Sequence, residues 1–299
     1  MAFVVYLVVL FASLMTSLFF WVLQVDTSNV FDQVIMSVTR FAIFMIIFFV
    51  FSALMNKAEG RQIFKHYGIK KISVIDIILL VAFAAICIVT FILAHEGSIK
   101  LFELMGYNPP DPFEINNLGH LAVLIIIFAV FPAIWEELVF RGLIMGGLLK
   151  YGKATAVLIS SLLFSLMHLS PAQTFYQFFF GAICAIIYLR TKNLTVPIIL
   201  HFVNNALILT YTYITQSLDH AIHFNAKTII TMIVLLFGGV LVILTMARLF
   251  TKSNTPLKDE QSEKKKLFPS VELVLLVVVI LISMLIWGME FAAQPPGEY

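Results

Sequence analysis

The chain has 299 residues, of which 61% are hydrophobic and 12% charged, with a formal net charge of +2. A soluble domain carries about 25% charged residues, so there is too little polar surface here to coat a water-soluble globule. The charge is too small, and its basic residues too little interleaved with aromatics, to suggest a nucleic-acid partner.

A membrane-crossing helix needs about 17–25 predominantly apolar residues. The first run, 3–23, has no Lys or Arg before it and no small-residue cleavage site after it. It is therefore expected as a retained membrane helix rather than a signal peptide. Further runs follow at 36–55, 73–94, 119–149, 154–169, 173–189, 194–214, 228–250 and 271–289. Together they predict an all-α, polytopic transmembrane helical bundle of about eight to nine spans. The run 119–149 is too long for one perpendicular crossing, so Pro132 is expected to kink it, or the helix to tilt. The run 154–169 is short and relies on its neighbours. Cys87 and Cys184 lie inside apolar runs with no metal-type spacing and read as packing residues, so no disulfide framework is expected.

The loops alternate in basic content, which sets orientation. Lys57, Arg61, Lys65, Lys70 and Lys71 fill one loop; Lys150 and Lys153 mark a turn; Arg190 and Lys192 mark another; Lys252, Lys258, Lys264, Lys265 and Lys266 fill a fourth. The intervening loops are poor in base: 24–35 has none, 95–118 has only Lys100 and 215–227 only Lys227. This pattern predicts a multi-pass integral protein of a cell membrane, with the N-terminus and basic loops cytoplasmic and the C-terminus outside. The loop with Pro109, Pro110 and Pro112 is expected to be irregular and external. Short cytoplasmic loops without soluble domains fit a bacterial membrane.

Ionisable residues inside spans are costly and point to function. The densest group is Trp135-Glu136-Glu137-Leu138-Val139-Phe140-Arg141. Glu137 and Arg141 stand four apart with the acid first, the favourable order for an ion pair on one helix face. Glu136 lies about 100° around the helix from Glu137. The spacing thus predicts that Arg141 neutralises Glu137, while Glu136 remains an unpaired carboxylate suited to acid–base work.

Two further segments follow: Phe164-Ser165-Leu166-Met167-His168, and His201-Phe202-Val203-Asn204-Asn205. Glu136 and His168 are each sixteen residues from Gly152. In an antiparallel hairpin that places both about 24 Å from the turn. His201 and Asn205 share a helix face and lie about 14 and 20 Å from the turn at 192; Asn204 is the weaker candidate for that face. Arg40 and Asp76 read as snorkelling or capping residues, and His120, His95, His220 and His223 as boundary or surface residues. Ser160, Ser161 and Ser165 show no legible Ser–Lys or Ser–His–Asp arrangement.

The sequence Glu136-Glu137-x-x-x-Arg141, then Phe164-x-x-x-His168, then His201-x-x-x-Asn205 resembles the three-motif signature of the CAAX protease and bacteriocin-processing family, which includes the type II CAAX prenyl endopeptidases. The resemblance covers roughly residues 117–214. It divides the chain into N-terminal helices and an external loop (1–116), a catalytic core (117–214) and C-terminal helices (215–299). It implies an intramembrane endopeptidase of glutamate type acting on a membrane-associated peptide or protein. By the same resemblance Glu136 activates water, and His168 positions or protonates. His201 and Asn205 stabilise the oxyanion, with Glu137 and Arg141 in support. No cofactor is expected; zinc held by two His and a Glu is the alternative, although no His-Glu-x-x-His helix is present. A non-proteolytic membrane module, an immunity protein or a regulator of a membrane sensor, is the second alternative. Membrane lipid is an expected partner.

Overall fold

A computed structural model describes residues 2–25, 29–55, 68–104, 106–107, 114–218 and 270–292. Every regular element among them is helical. The helices are α1 (Ala2–Val22), α2 (Val30–Met55), α3 (Val74–Glu103), α4 (Leu118–Tyr151), α5 (Lys153–Leu166), α6 (Pro171–Thr191), α7 (Thr195–Leu218) and α8 (Ser270–Ala292). Among the described residues, six segments are long and apolar enough to cross a membrane: Ala2–Val22, Val30–Leu54, Leu118–Tyr151, Pro171–Thr191, Thr195–Ser217 and Val271–Met289. Lys153–Leu166 is a shorter apolar helix, and Val74–Cys87 is an apolar stretch at the start of α3. The expected span 228–250, the basic residues Lys57, Arg61, Lys65, Lys252, Lys258, Lys264, Lys265 and Lys266, the prolines Pro109, Pro110 and Pro112, and His220 and His223 lie outside the described residues.

The outer faces of these helices are apolar. Phe11, Trp21, Ile46, Leu158, Phe175 and Leu281 are all exposed. Water would penalise such a surface, whereas lipid accepts it. The chain is an integral membrane protein on this evidence and on its composition.

α4 is the central element. It packs against α1, α2, α5 and α7, while α6 packs on α3, α5 and α7. Its start is fixed by Asn117, whose side-chain oxygen accepts the His120 backbone N–H at 2.9 Å, an N-cap. Its end is fixed by Gly152, whose φ of 106° opens the turn into α5. Between those ends the helix is not uniform. Ile126–Val130 and Leu138–Ile144 are π-helical, and the single α-helical stretch between them is Phe131–Glu137. Pro132 stands just after the first π segment. Proline gives no N–H to the carbonyl four residues back and its ring crowds that carbonyl, so the local widening is the helix's accommodation of Pro132. The expected irregularity at Pro132 thus takes the form of a π segment, a common feature of functional sites.

Close helix contacts are set by small residues. A Cβ added at Gly181 on α6 would sit 3.0 Å from the Phe164 ring on α5, and one added at Gly147 on α4 would sit 3.3 Å from Ala2 on α1. The α6–α7 turn is tied to the segment before α3: Asn193 Oδ1 accepts the Lys70 backbone N–H at 3.1 Å, and Gly68 O accepts the Leu194 N–H at 3.2 Å. One continuous apolar core joins α1 through α8 around α4, and a smaller cluster of Ile115, Leu121, Leu124, Ile127, Ala129 and Leu209 fills the other end of the α4–α7 contact.

Candidate functional site

The α-helical stretch between the two π segments carries both acids. Glu137 is fully buried and Glu136 nearly so. Arg141 Nε lies 3.0 Å from Glu137 Oε2, four residues on, as the spacing predicts. Arg141 is also buried, so its charge needs more than one partner. Its Nη2 donates to the Gly181 carbonyl at 3.0 Å, and its guanidinium carbon stands 4.6 Å from the centre of the Phe164 ring, a cation–π contact. Gly181 therefore has two functions: without a Cβ it admits Phe164, and its backbone oxygen holds Arg141.

Glu137 has a second partner that spacing along one helix could not reveal. His201 Nδ1 stands 2.9 Å from Glu137 Oε1. A carboxylate only accepts, so Nδ1 carries the proton. His201 Nε2 then faces Glu136 Oε2 at 3.8 Å. That Glu136 oxygen is buried and has no hydrogen-bond partner among the described residues. The four groups Glu136, Glu137, Arg141 and His201 thus form one buried cluster from α4 and α7.

His168 closes α5. Its Nδ1 lies 2.9 Å from the Phe164 carbonyl, which again places the proton on Nδ1 and leaves Nε2 as an acceptor. Phe164 is the hub of this side: its ring lies 5.1 Å from the His168 ring, 5.8 Å from the His201 ring and 5.2 Å from the Phe140 ring. Trp135 stacks on Phe44 of α2 with centroids 4.0 Å apart.

Asn205 joins α7 to the first π segment. Its Nδ2 donates to the Phe128 carbonyl at 3.2 Å. Phe128 is four residues before Pro132, so the carbonyl that proline cannot serve is served by Asn205. Asn204, the weaker candidate for this face, is buried, accepts the Tyr176 hydroxyl at 2.6 Å and donates to Asn205 Oδ1 at 3.2 Å. A recess of about 280 Å³ lined by Val130, Ala133, Ile134, Ile198, Ile199 and Phe202 lies between the same two helices.

Residues 118–207 match the family described as type II CAAX prenyl endopeptidase Rce1-like. The resemblance drawn from the three motifs is thereby borne out, and this segment is similar to a family of membrane endopeptidases. The chain is also 29% identical over 139 residues to a Bacillus subtilis (strain 168) protein named "Putative membrane peptidase YdiL". That alignment covers 45% of this chain and 56% of the relative, so the chain spans little more than half the length of the relative it matches. No solved structure matches the chain.

Proposed function

We propose that the chain is an intramembrane endopeptidase in which Glu136 activates a water molecule. The observation that carries this reading is the unpartnered, buried Glu136 Oε2 facing His201 Nε2, while Glu137 already has Arg141.

Charge balance defines the working state. Glu137 and Arg141 cancel. Glu136 and His201 then hold one proton between them if the cluster is to stay neutral in lipid, where an uncompensated charge is costly. With the proton on His201 Nε2, Glu136 is a carboxylate base and His201 is a donor with both nitrogens protonated. This is the form that both roles require.

In the reaction Glu136 takes one water proton as the oxygen attacks the scissile carbonyl carbon. The His168 Nε2 lone pair accepts from the other water hydrogen and so orients the attack. Negative charge develops on the carbonyl oxygen, where His201 Nε2–H and the second Asn205 Nδ2–H donate to it. Collapse breaks the C–N bond, and Glu136 returns its proton to the leaving nitrogen. Glu137 and Arg141 fix the His201 ring and do not take part.

The substrate is a membrane-associated peptide or protein, the basic turns at 150–153 and 190–193 face the cytoplasm, and the setting is a bacterial membrane. A zinc-dependent version would need three protein donors around one point, and no group of three His, Cys, Asp or Glu suited to a metal occurs among the described residues.

The test uses purified full-length protein in proteoliposomes with a pooled library of internally quenched apolar peptides. Glu136→Gln keeps the shape and removes the base, and it is expected to lower kcat at least about 100-fold. A strong zinc chelator is expected to leave the wild-type rate unchanged. Undiminished cleavage by Glu136→Gln would falsify the glutamate mechanism, and chelator-sensitive, zinc-restorable cleavage would replace it with the metal version.

A further inference from the structure

We infer that Tyr176 is a positioning residue for the same reaction, acting through Asn204 to fix which way the Asn205 amide points. The inference rests on the catalytic reading above and adds to it a relay running from α6 through α7 to α4.

An amide side chain has an oxygen and a nitrogen of nearly equal size, so packing alone does not decide its orientation. Here a hydrogen-bond chain decides it: its Phe128 end sets the polarity, and its Tyr176 end, a hydroxyl able to donate or accept, holds it. At one end the Tyr176 hydroxyl donates to Asn204 Oδ1 at 2.6 Å. This turns the Asn204 nitrogen toward Asn205, whose Oδ1 it reaches at 3.2 Å. The Asn205 nitrogen is thereby turned toward the Phe128 carbonyl, which accepts at 3.2 Å. At that far end the carbonyl only accepts, so it demands the same polarity. The donors all run in one direction, from α6 to α7 to α4.

Each bond in such a chain polarises the next. One Asn205 Nδ2–H is used by Phe128, and the other is the one that the mechanism above assigns to the oxyanion. Tyr176 and Asn204 are buried, so water does not compete for these bonds. Spacing in the sequence separates Tyr176 from Asn204 by 28 residues, and the pairing is visible only in three dimensions.

Tyr176→Phe removes the hydroxyl and keeps the ring. In the proteoliposome assay it is expected to lower kcat about tenfold, the worth of one buried hydrogen bond, with KM unchanged and the melting temperature only modestly lowered. In an Asn205→Ala background the same substitution is expected to cause no further loss, because the relay has lost its end. Multiplying losses in the double variant overturn the proposal, as does wild-type kcat in Tyr176→Phe. A readout without turnover accompanies it: solid-state NMR of asparagine-labelled protein in lipid. The Asn205 side-chain amide resonance is expected to move in Tyr176→Phe, and a stationary resonance also overturns the relay. Loss of activity in Glu136→Gln and Asn205→Ala with no response to Tyr176→Phe sinks the relay alone. Full activity in Glu136→Gln sinks the catalytic reading beneath it.

Discussion

Arg141 is the largest fully buried side chain in the described residues. A guanidinium is acceptable there because Glu137, the Gly181 carbonyl and the Phe164 ring all receive it. Removing one member of a buried pair strands the other, at a cost of about 3–5 kcal/mol. Arg141→Met is therefore expected to lower the melting temperature of the detergent-purified protein clearly. Glu137→Gln combined with Arg141→Met is expected to recover part of that loss, since no lone charge remains. An equal or greater loss in the double variant would show that the pair is not what the arginine stabilises. The Glu137–Arg141 pairing was legible from two letters four apart. The His201 bond to Glu137 was not, because it joins residues 64 apart in sequence. The Asn204 bond to Tyr176 is hidden for a related reason: helical spacing ranks residues by the face they share with His201, and Tyr176 stands on another helix.

At the scale of the element, α4 is informative because α-helical and π-helical stretches alternate along it. The sequence announces an irregularity through Pro132, but not its form. A kink and a π segment both release the Phe128 carbonyl; only the packing of α7 against α4 brings Asn205 there to take it. Stability and activity should then part company at this position. Pro132→Ala restores an N–H that competes for Phe128 and relieves a helix-interior penalty of up to about 3 kcal/mol. We expect equal or higher thermal stability, with kcat lowered about tenfold as Asn205 loses one hydrogen bond. A stabilised variant with unimpaired kcat would detach the proline from the site. The short apolar helix at 153–166 and the turn at Gly152 are legible in the sequence, whereas the Asn117 cap that starts α4 is seen only in the structure.

For the whole molecule, the decisive quantity is how α4 crosses the bilayer. The run Leu118–Tyr151 has 34 residues, about 51 Å of straight helix at 1.5 Å per residue. The hydrocarbon core is about 30 Å thick, and tilts rarely exceed about 40°, so a single crossing must carry both ends beyond the core. Glu136 lies 18 residues from Leu118 and 15 from Tyr151, close to the midpoint of the run. A site at that depth explains why the acids are neutralised inside the protein instead of reaching water. It also requires that the two ends of α4 face opposite compartments. Asn116 and Lys153 flank the run and are both exposed. The native thiols, Cys87 and Cys184, are fully buried and can be replaced by alanine for a clean background. Single cysteines at 116 and 153 are expected to react with a membrane-impermeant maleimide from opposite sides of intact cells, 116 from outside and 153 only after the membrane is opened. Labelling of both from one side would mean that α4 does not cross, and the midplane position of Glu136 would fall with it. Reversed sides would leave the depth intact and invert the orientation expected from the basic turns.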